Sequence, residues 1–180
     1  NEAIKQAKGE YVSILYGDDF YLPQKLEKQV ACFNNLSREW GVVHSPGFIL
    51  NQLNGIKSLA EGSTVHGSAL ETLLQEFSYK EINPISPLVR RECFERYPEY
   101  GDLSLEGESA YLKIALGYKF YYLDQPLSVM RKHEKNLGRY SKRNMEILDI
   151  CLERLKDFED FPSHCLESLS KLRARIFIKG

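Results

Sequence analysis

A chain of 180 residues, 43% hydrophobic and 27% charged, has the composition of one globular domain able to bury a substantial core. Its formal net charge of -1 gives no global electrostatic case for nucleic acid or a membrane surface, although Arg90-Arg91 and the Arg139 to Arg143 stretch are local basic runs. No apolar run reaches the roughly 20 residues of a membrane span, and the scattered Cys32, Cys93, Cys151 and Cys165 lack zinc spacing and read as free thiols in a reducing cytoplasm.

Asn1 to Lys8 reads as the tail of a helix, with Gly9 placed to cap it. Tyr11, Val12, Ile14 and Leu15 form a short β-prone run, predicted as a buried strand. It stops at Gly17, and two adjacent carboxylates, Asp18 and Asp19, follow at once. Ligands of open α/β sheets bind beyond the carboxyl ends of strands. A hard divalent cation with substrate phosphates is a natural occupant for such a carboxylate pair.

Pro23 is placed to start a helix whose apolar face is Leu26, Val30 and Phe33, with Lys25, Glu27 and Lys28 outward. Trp40 to Leu50 is β-like, and Asn54-Gly55 is a strong hairpin-turn signal. Ser68-Ala69-Leu70-Glu71 is a capping box, which predicts a helix through Leu70, Leu73, Leu74 and Phe77. Ile82 to Pro87 is a Pro-punctuated loop, followed by apolar Leu88-Val89 and a short helix holding Cys93 and Phe94. Leu105 to Leu116 has helical spacing that ends at Gly117, and Tyr118 to Leu123 is an aromatic-rich strand, buried on both sides rather than a sugar-stacking platform. Beyond Tyr140 two helices are expected, parted by Phe161-Pro162-Ser163. Leu148, Leu152 and Leu155 mark the first apolar face; Leu166, Leu169, Leu172 and Ile176 mark the second.

Three blocks together resemble bacterial glycosyltransferases of family 2, which have the GT-A fold. The first is Ala7-Lys8-Gly9-Glu10-Tyr11-Val12, then Tyr16-Gly17-Asp18-Asp19-Phe20, then Pro23-Gln24-Lys25-Leu26-Glu27-Lys28-Gln29. The second is the Leu105 to Phe120 stretch, an acidic helix ending in Gly117-Tyr118-Lys119-Phe120. The third is Asp124 to Asn136, which is similar to the family's "E-P-L-x-x-Y-R-x-H-x-x-N". The resemblance covers roughly residues 1–140 and implies an α/β fold: a partial GT-A mixed sheet flanked by helices, with a helical C-terminal extension. It divides the chain into a truncated catalytic domain over 1–139, carrying the metal-binding and acceptor side, and a helical extension over 140–180. The family's N-terminal base-binding unit has no counterpart here, which would leave a sheet edge exposed and invite self-association.

The resemblance implies transfer of a sugar from a nucleotide-sugar donor to a saccharide or other acceptor hydroxyl, with inversion and metal assistance. The family's Asp-x-Asp stands here as Tyr16-Gly17-Asp18, so Asp18 takes the position that contacts a Mg²⁺ or Mn²⁺ ion bridging the diphosphate. Asp19, Arg131 and His133 are the diphosphate-side candidates; Arg131 and His133, two residues apart on a strand, face the same side. The family's base falls on Gly107, leaving Glu106 or Glu108 to accept the acceptor's proton if the helix start shifts by about a residue.

His44, His66 and His164 have no such context and read as structural. Asn83 to Pro87 either lines an acceptor cleft or only turns the chain, and Arg90-Arg91 reads as a solvated helix start. Cytoplasmic residence, at most peripheral to the inner membrane face, goes with the family. Two other functions stand beside the leading one. The chain is either a non-catalytic glycosyltransferase-like fragment or interaction module, or a phosphoacceptor α/β domain using Asp18-Asp19.

Overall fold

The computed structural model describes residues 2–76, 82–100, 102–103, 109–134 and 142–179. Two mixed sheets are flanked by helices. The larger sheet joins β1 (Tyr11–Val12), β7 (Leu88–Arg90), β3 (Trp40–His44), β8 (Lys119–Tyr122) and β6 (Gly67–Ser68), in that order. β3 and β8 run parallel, whereas β7 is antiparallel to both β1 and β3. The smaller sheet has the order β2 (Phe20–Tyr21), β9 (Ser128–Lys132), β4 (Phe48–Asn51), β5 (Lys57–Leu59). The Asn54-Gly55 signal is realised as the β4–β5 hairpin, with Gly55 at φ 70 and Phe48 opposite Leu59.

The central strands β7 and β3 of the larger sheet are buried on both faces, and adjacent residues of β3 divide between them, as strand geometry requires. Val43 packs with Phe33 and Leu88 under α2 (Lys25–Phe33). Val42 joins the main core with Val89 and Phe120. That core continues without a break into Leu73 and Leu74 of α3 (Leu70–Glu76), Leu112 and Ile114 of α5 (Ser109–Ile114), Leu152 and Leu155 of α6 (Lys142–Leu155), and Leu169, Leu172 and Ile176 of α7 (Leu166–Lys179). Two short helices, α1 (Glu2–Gln6) and α4 (Arg91–Arg96), complete the described elements with a 3₁₀ turn at Ser163–Cys165. No described helix is long and apolar enough to cross a membrane.

Several local expectations are corrected. The β1 strand is two residues long, half-buried, and forms a sheet edge; Leu15 is 47% exposed. Its ladder with β7 runs only from Tyr11↔Arg90 to Val12↔Val89, because Pro87 follows and has no N–H to extend it. The Ser13 hydroxyl bonds Pro87 O at 2.9 Å instead. Helix α2 is turned relative to its predicted face: Lys25 is 1% exposed and Gln29 fully buried, while Leu26 is 49% exposed. Lys25, Gln29 and Phe33 repeat every four residues, and the Gln29 amide points inward to donate to Val43 O at 3.0 Å and Ser86 O at 2.8 Å. Leu166 also lies outside its predicted face at 46% exposed. Gly9 and Gly117 do not adopt the left-handed cap conformation. A side chain at Gly117 would meet the Tyr97 hydroxyl at 2.4 Å, so there the missing Cβ serves space rather than dihedral freedom.

Of the three histidines expected to be structural, His44 and His66 have packed partners, whereas His164 is exposed on the 3₁₀ turn. His44 is 1% exposed, bonds Val65 O through Nε2 at 2.8 Å, and burial pushes its ring down to about 4. His66 packs in tilted contact with the Trp40 and Tyr121 rings. Arg90 is no solvated helix start: it is 7% exposed, donates to Trp40 O and Phe33 O, and lies over the Phe33 ring at 4.6 Å. All four cysteines are free thiols.

Candidate functional site

The acidic turn forms because the chain reverses between two different sheets. Residues Tyr16 to Asp19 close a β-turn, with Asp19 N donating to Tyr16 O at 3.2 Å. The chain then enters β2, which pairs antiparallel with β9 through Phe20↔Val129 and Tyr21↔Ser128. That pairing brings Asp18 and Asp19 alongside Arg131 and His133, more than 110 residues later in sequence.

Three polar contacts across this junction join residues expected to act together. The backbone N–H of Arg131 donates to Asp19 Oδ1 at 2.8 Å, and Arg131 Nε donates to Asp18 O. His133 Nε2 lies 2.8 Å from Asp18 Oδ2, with the two side chains 25% and 37% exposed. The His133 contact holds the Asp18 carboxyl below the usual range, and Arg131 adds to that effect. Asp19 is pushed the other way, first by burial and also by the neighbouring Asp18 charge. Two adjacent carboxylates thus differ in role: one stays ionised at the rim, the other is drawn into the backbone of β9.

Beneath the turn lies a polar network that sequence reasoning missed. Lys25 Nζ donates to Ser13 Oγ at 3.0 Å and sits 4.1 Å from the centre of the Tyr21 ring. Ser13 Oγ is also 2.8 Å from Tyr21 Oη, and Tyr21 Oη donates to Ile14 O at 2.9 Å. These bonds tie the end of β1, the start of α2 and the beginning of β2 into one unit under Asp18. The available signal was the four-residue spacing of Lys25, Gln29 and Phe33, which is as helical as that of Leu26, Val30 and Phe33.

The chemistry of the donor set bears on a metal. Among the described residues no group of three or more His, Cys, Asp or Glu side chains is arranged to hold an ion. A divalent cation here would have Asp18 as its protein carboxylate and take the rest of its shell from phosphate oxygens and water, a habit suited to Mg²⁺. Glu106 and Glu108, the candidate bases, lie outside the described residues, as does most of the Arg139 to Arg143 run. Asn83 and Pro84 do line a cleft, together with Ser45 to Gly47, the 59–64 segment and Tyr122.

No protein-family model matches the chain, and no curated protein matches it by sequence. Solved structures do match it by fold. A crystal structure of S. aureus TarS 1-349 in complex with UDP-GlcNAc aligns with TM-score 0.69 at 14% identity, covering 99% of this chain and 51% of the TarS chain. A second crystal structure of TarS 1-349 aligns with TM-score 0.66 at 14% identity, covering 99% and 49%. The chain therefore spans about half the length of TarS 1-349. At this identity the likeness is one of fold: what the two share is a mixed α/β architecture flanked by helices.

Proposed function

We propose that the chain carries the metal-binding and acceptor side of an inverting, family 2-like glycosyltransferase that moves a sugar from a nucleotide-activated donor to an acceptor hydroxyl. The observation that supports this reading is the junction of the acidic turn with β9. There the Asp18 carboxylate meets the His133 imidazole, the Arg131 guanidinium donates to the Asp18 backbone carbonyl, and the Asp19 carboxylate accepts from the Arg131 N–H, across more than 110 residues of sequence. The fold is that of TarS, whose structure holds UDP-GlcNAc.

Direct displacement needs charge compensation on one side and proton removal on the other. As the acceptor oxygen bonds to the anomeric carbon, the bond from that carbon to the phosphate oxygen breaks, and the nucleoside diphosphate leaves with its electron pair. In this reading Arg131 on β9 and His133 just past its end balance that charge, and Asp18 would hold the divalent cation. When bound, the ion withdraws negative charge from the leaving diphosphate. Asp19 keeps β9 in register with the turn through the Arg131 N–H. The acceptor's proton goes to a carboxylate, Glu106 or Glu108.

The test is ligand-induced stabilisation. With UDP and Mn²⁺ at about 100 times the dissociation constant, the folded chain gains about 2.7 kcal/mol, read as a rise in melting temperature. In Asp18→Ala this rise is lost with Mn²⁺ present, while the melting temperature without ligand changes little. An undiminished rise in Asp18→Ala removes Asp18 from the ion site. No response of the unaltered chain to any nucleoside diphosphate overturns the reading as a whole.

A further inference from the structure

The cleft lined by Asn83 occupies about 670 Å³, well within the range of small-molecule sites. It lies beyond the carboxyl ends of the parallel strands β3 and β8, where ligands of α/β sheets collect. Its far wall includes Met130 of β9. Successive strand residues face opposite ways, so Met130 looks into the cleft while Arg131 turns to Asp18 on the other side of the same strand. The cleft is therefore a second site, back to back with the acidic turn.

Its lining has a definite chemistry. Glu61 and Asp124 place carboxylates on it, Asn83 an amide, Thr64 a hydroxyl and Tyr122 an aromatic ring. Among the described residues that line it there is no lysine, arginine or histidine. The floor is built rather than incidental. Asn83 is 8% exposed, its Nδ2 donates to Ser128 Oγ at 3.3 Å, and its Oδ1 accepts from Ile85 N at 3.2 Å. Gly47 lets the backbone close on that amide, since a Cβ there would lie 2.3 Å from Asn83 Nδ2. Ser45, also lining the cleft, is 2% exposed and its Oγ is buried without a hydrogen-bond partner.

Carboxylates and a fixed amide beside an aromatic ring suit vicinal hydroxyl groups, whereas the two carboxylates of the described lining repel phosphate. We propose that this cleft binds an uncharged, polyhydroxylated ligand, a neutral saccharide, as the non-reacting part of the acceptor. Its role as an acceptor subsite rests on the transferase reading; its ligand class rests on the lining alone.

Nuclear magnetic resonance on the full ¹⁵N-labelled chain tests both separately. Titration with maltose and with chitobiose should shift the Asn83 side-chain amide and the Thr64 and Tyr122 backbone amides, and glucose 6-phosphate should do so at least about tenfold more weakly than glucose. Asn83→Ala should weaken saccharide binding by about tenfold. Because that buried change also threatens folding, the exposed Asp124→Lys provides a second arm: the fold is kept and the discrimination against glucose 6-phosphate narrows. UDP with the diamagnetic Mg²⁺, added in parallel, should shift Asp18 and His133 but not the cleft. If UDP acts at the turn while no saccharide shifts the cleft, or if the phosphorylated sugar binds equally well, this proposal fails and the transferase reading survives. Saccharide shifts in the cleft with no response to UDP uphold the site and overturn the transferase reading instead.

Discussion

Lys25 is a cation with almost no exposure and a hydroxyl and an aromatic face as its partners. Burial lowers its ammonium from an ordinary 10.5 to about 7. An unfolded chain keeps that proton to about pH 10, so between about pH 7 and pH 10 the unfolded state binds more protons than the folded one. In that window stability rises with pH; below about pH 7 both states hold the proton and the gain is absent. The difference is of order a few kcal/mol across the window. Lys25→Met removes it. Urea unfolding at pH 6.5 and pH 9.5 should give a stability rise in the unaltered chain that exceeds the rise in the methionine variant. Parallel profiles for the two would mean that water or an unassigned anion keeps Lys25 charged. The sequence hid this residue for a physical reason: a lysine next to a leucine on a predicted helix is expected outward. What reversed them was the need of Val43 O and Ser86 O for the donor four residues on, Gln29.

Elements with a local cause were legible and those with a distant cause were not. The β4–β5 hairpin, α3, α4, the β8 strand and the two closing helices follow from turn chemistry and periodicity close at hand. Helix α3 still begins at Leu70, one residue later than a cap at Ser68 would place it, because Ser68 belongs to β6. The short β1 could not be read, because its length is set by Pro87 some 75 residues away and not by its own apolar run. The candidate site divides likewise. Asp18, Asp19, Arg131 and His133 were singled out as candidates through resemblance to a family pattern, whereas the Ser13–Tyr21–Lys25 support and the cleft depend on which elements meet. Gly47 gives the clearest case of an element held by such a meeting. It leads into β4 beneath Asn83, and a methyl there would overlap Asn83 Nδ2 and lie 2.7 Å from Ser128 Oγ. Gly47→Ala should cost about 1–3 kcal/mol, seen as a lower urea midpoint with an unchanged slope. Adding Asn83→Ala should return part of that loss, because the strained atom is then gone. A loss that is purely additive in the double variant would place the strain elsewhere.

The largest question of organisation is whether α6 and α7 form a unit of their own beyond residue 139. The core argues for a single body. Leu152, Leu155, Leu169 and Leu172 belong to the same buried cluster as Val42, Val89 and Phe120 of the sheet. Ionic contacts tie the ends together as well: Arg154 meets Asp102 at 2.6 Å, and Arg96 meets Asp160 at 2.9 Å. These pairs are exposed and contribute little by themselves, so cohesion must come from the apolar contact. Leu172 is fully buried, and Leu172→Ala should destabilise by about 2–5 kcal/mol through lost transfer energy and the cavity left behind. The single tryptophan, Trp40, reports the opposite region, because it opens β3 beside Tyr121 and His66. In one cooperative unit the variant lowers the unfolding midpoint read by Trp40 fluorescence as much as the midpoint read by helical circular dichroism. If the helices were a separate body, the circular dichroism midpoint would fall alone and Trp40 would unfold where it does in the unaltered chain. Coincident shifts would also mean that damage to the closing helices reaches the acidic turn, since β3, β7 and β1 are joined edge to edge and the turn hangs from β1.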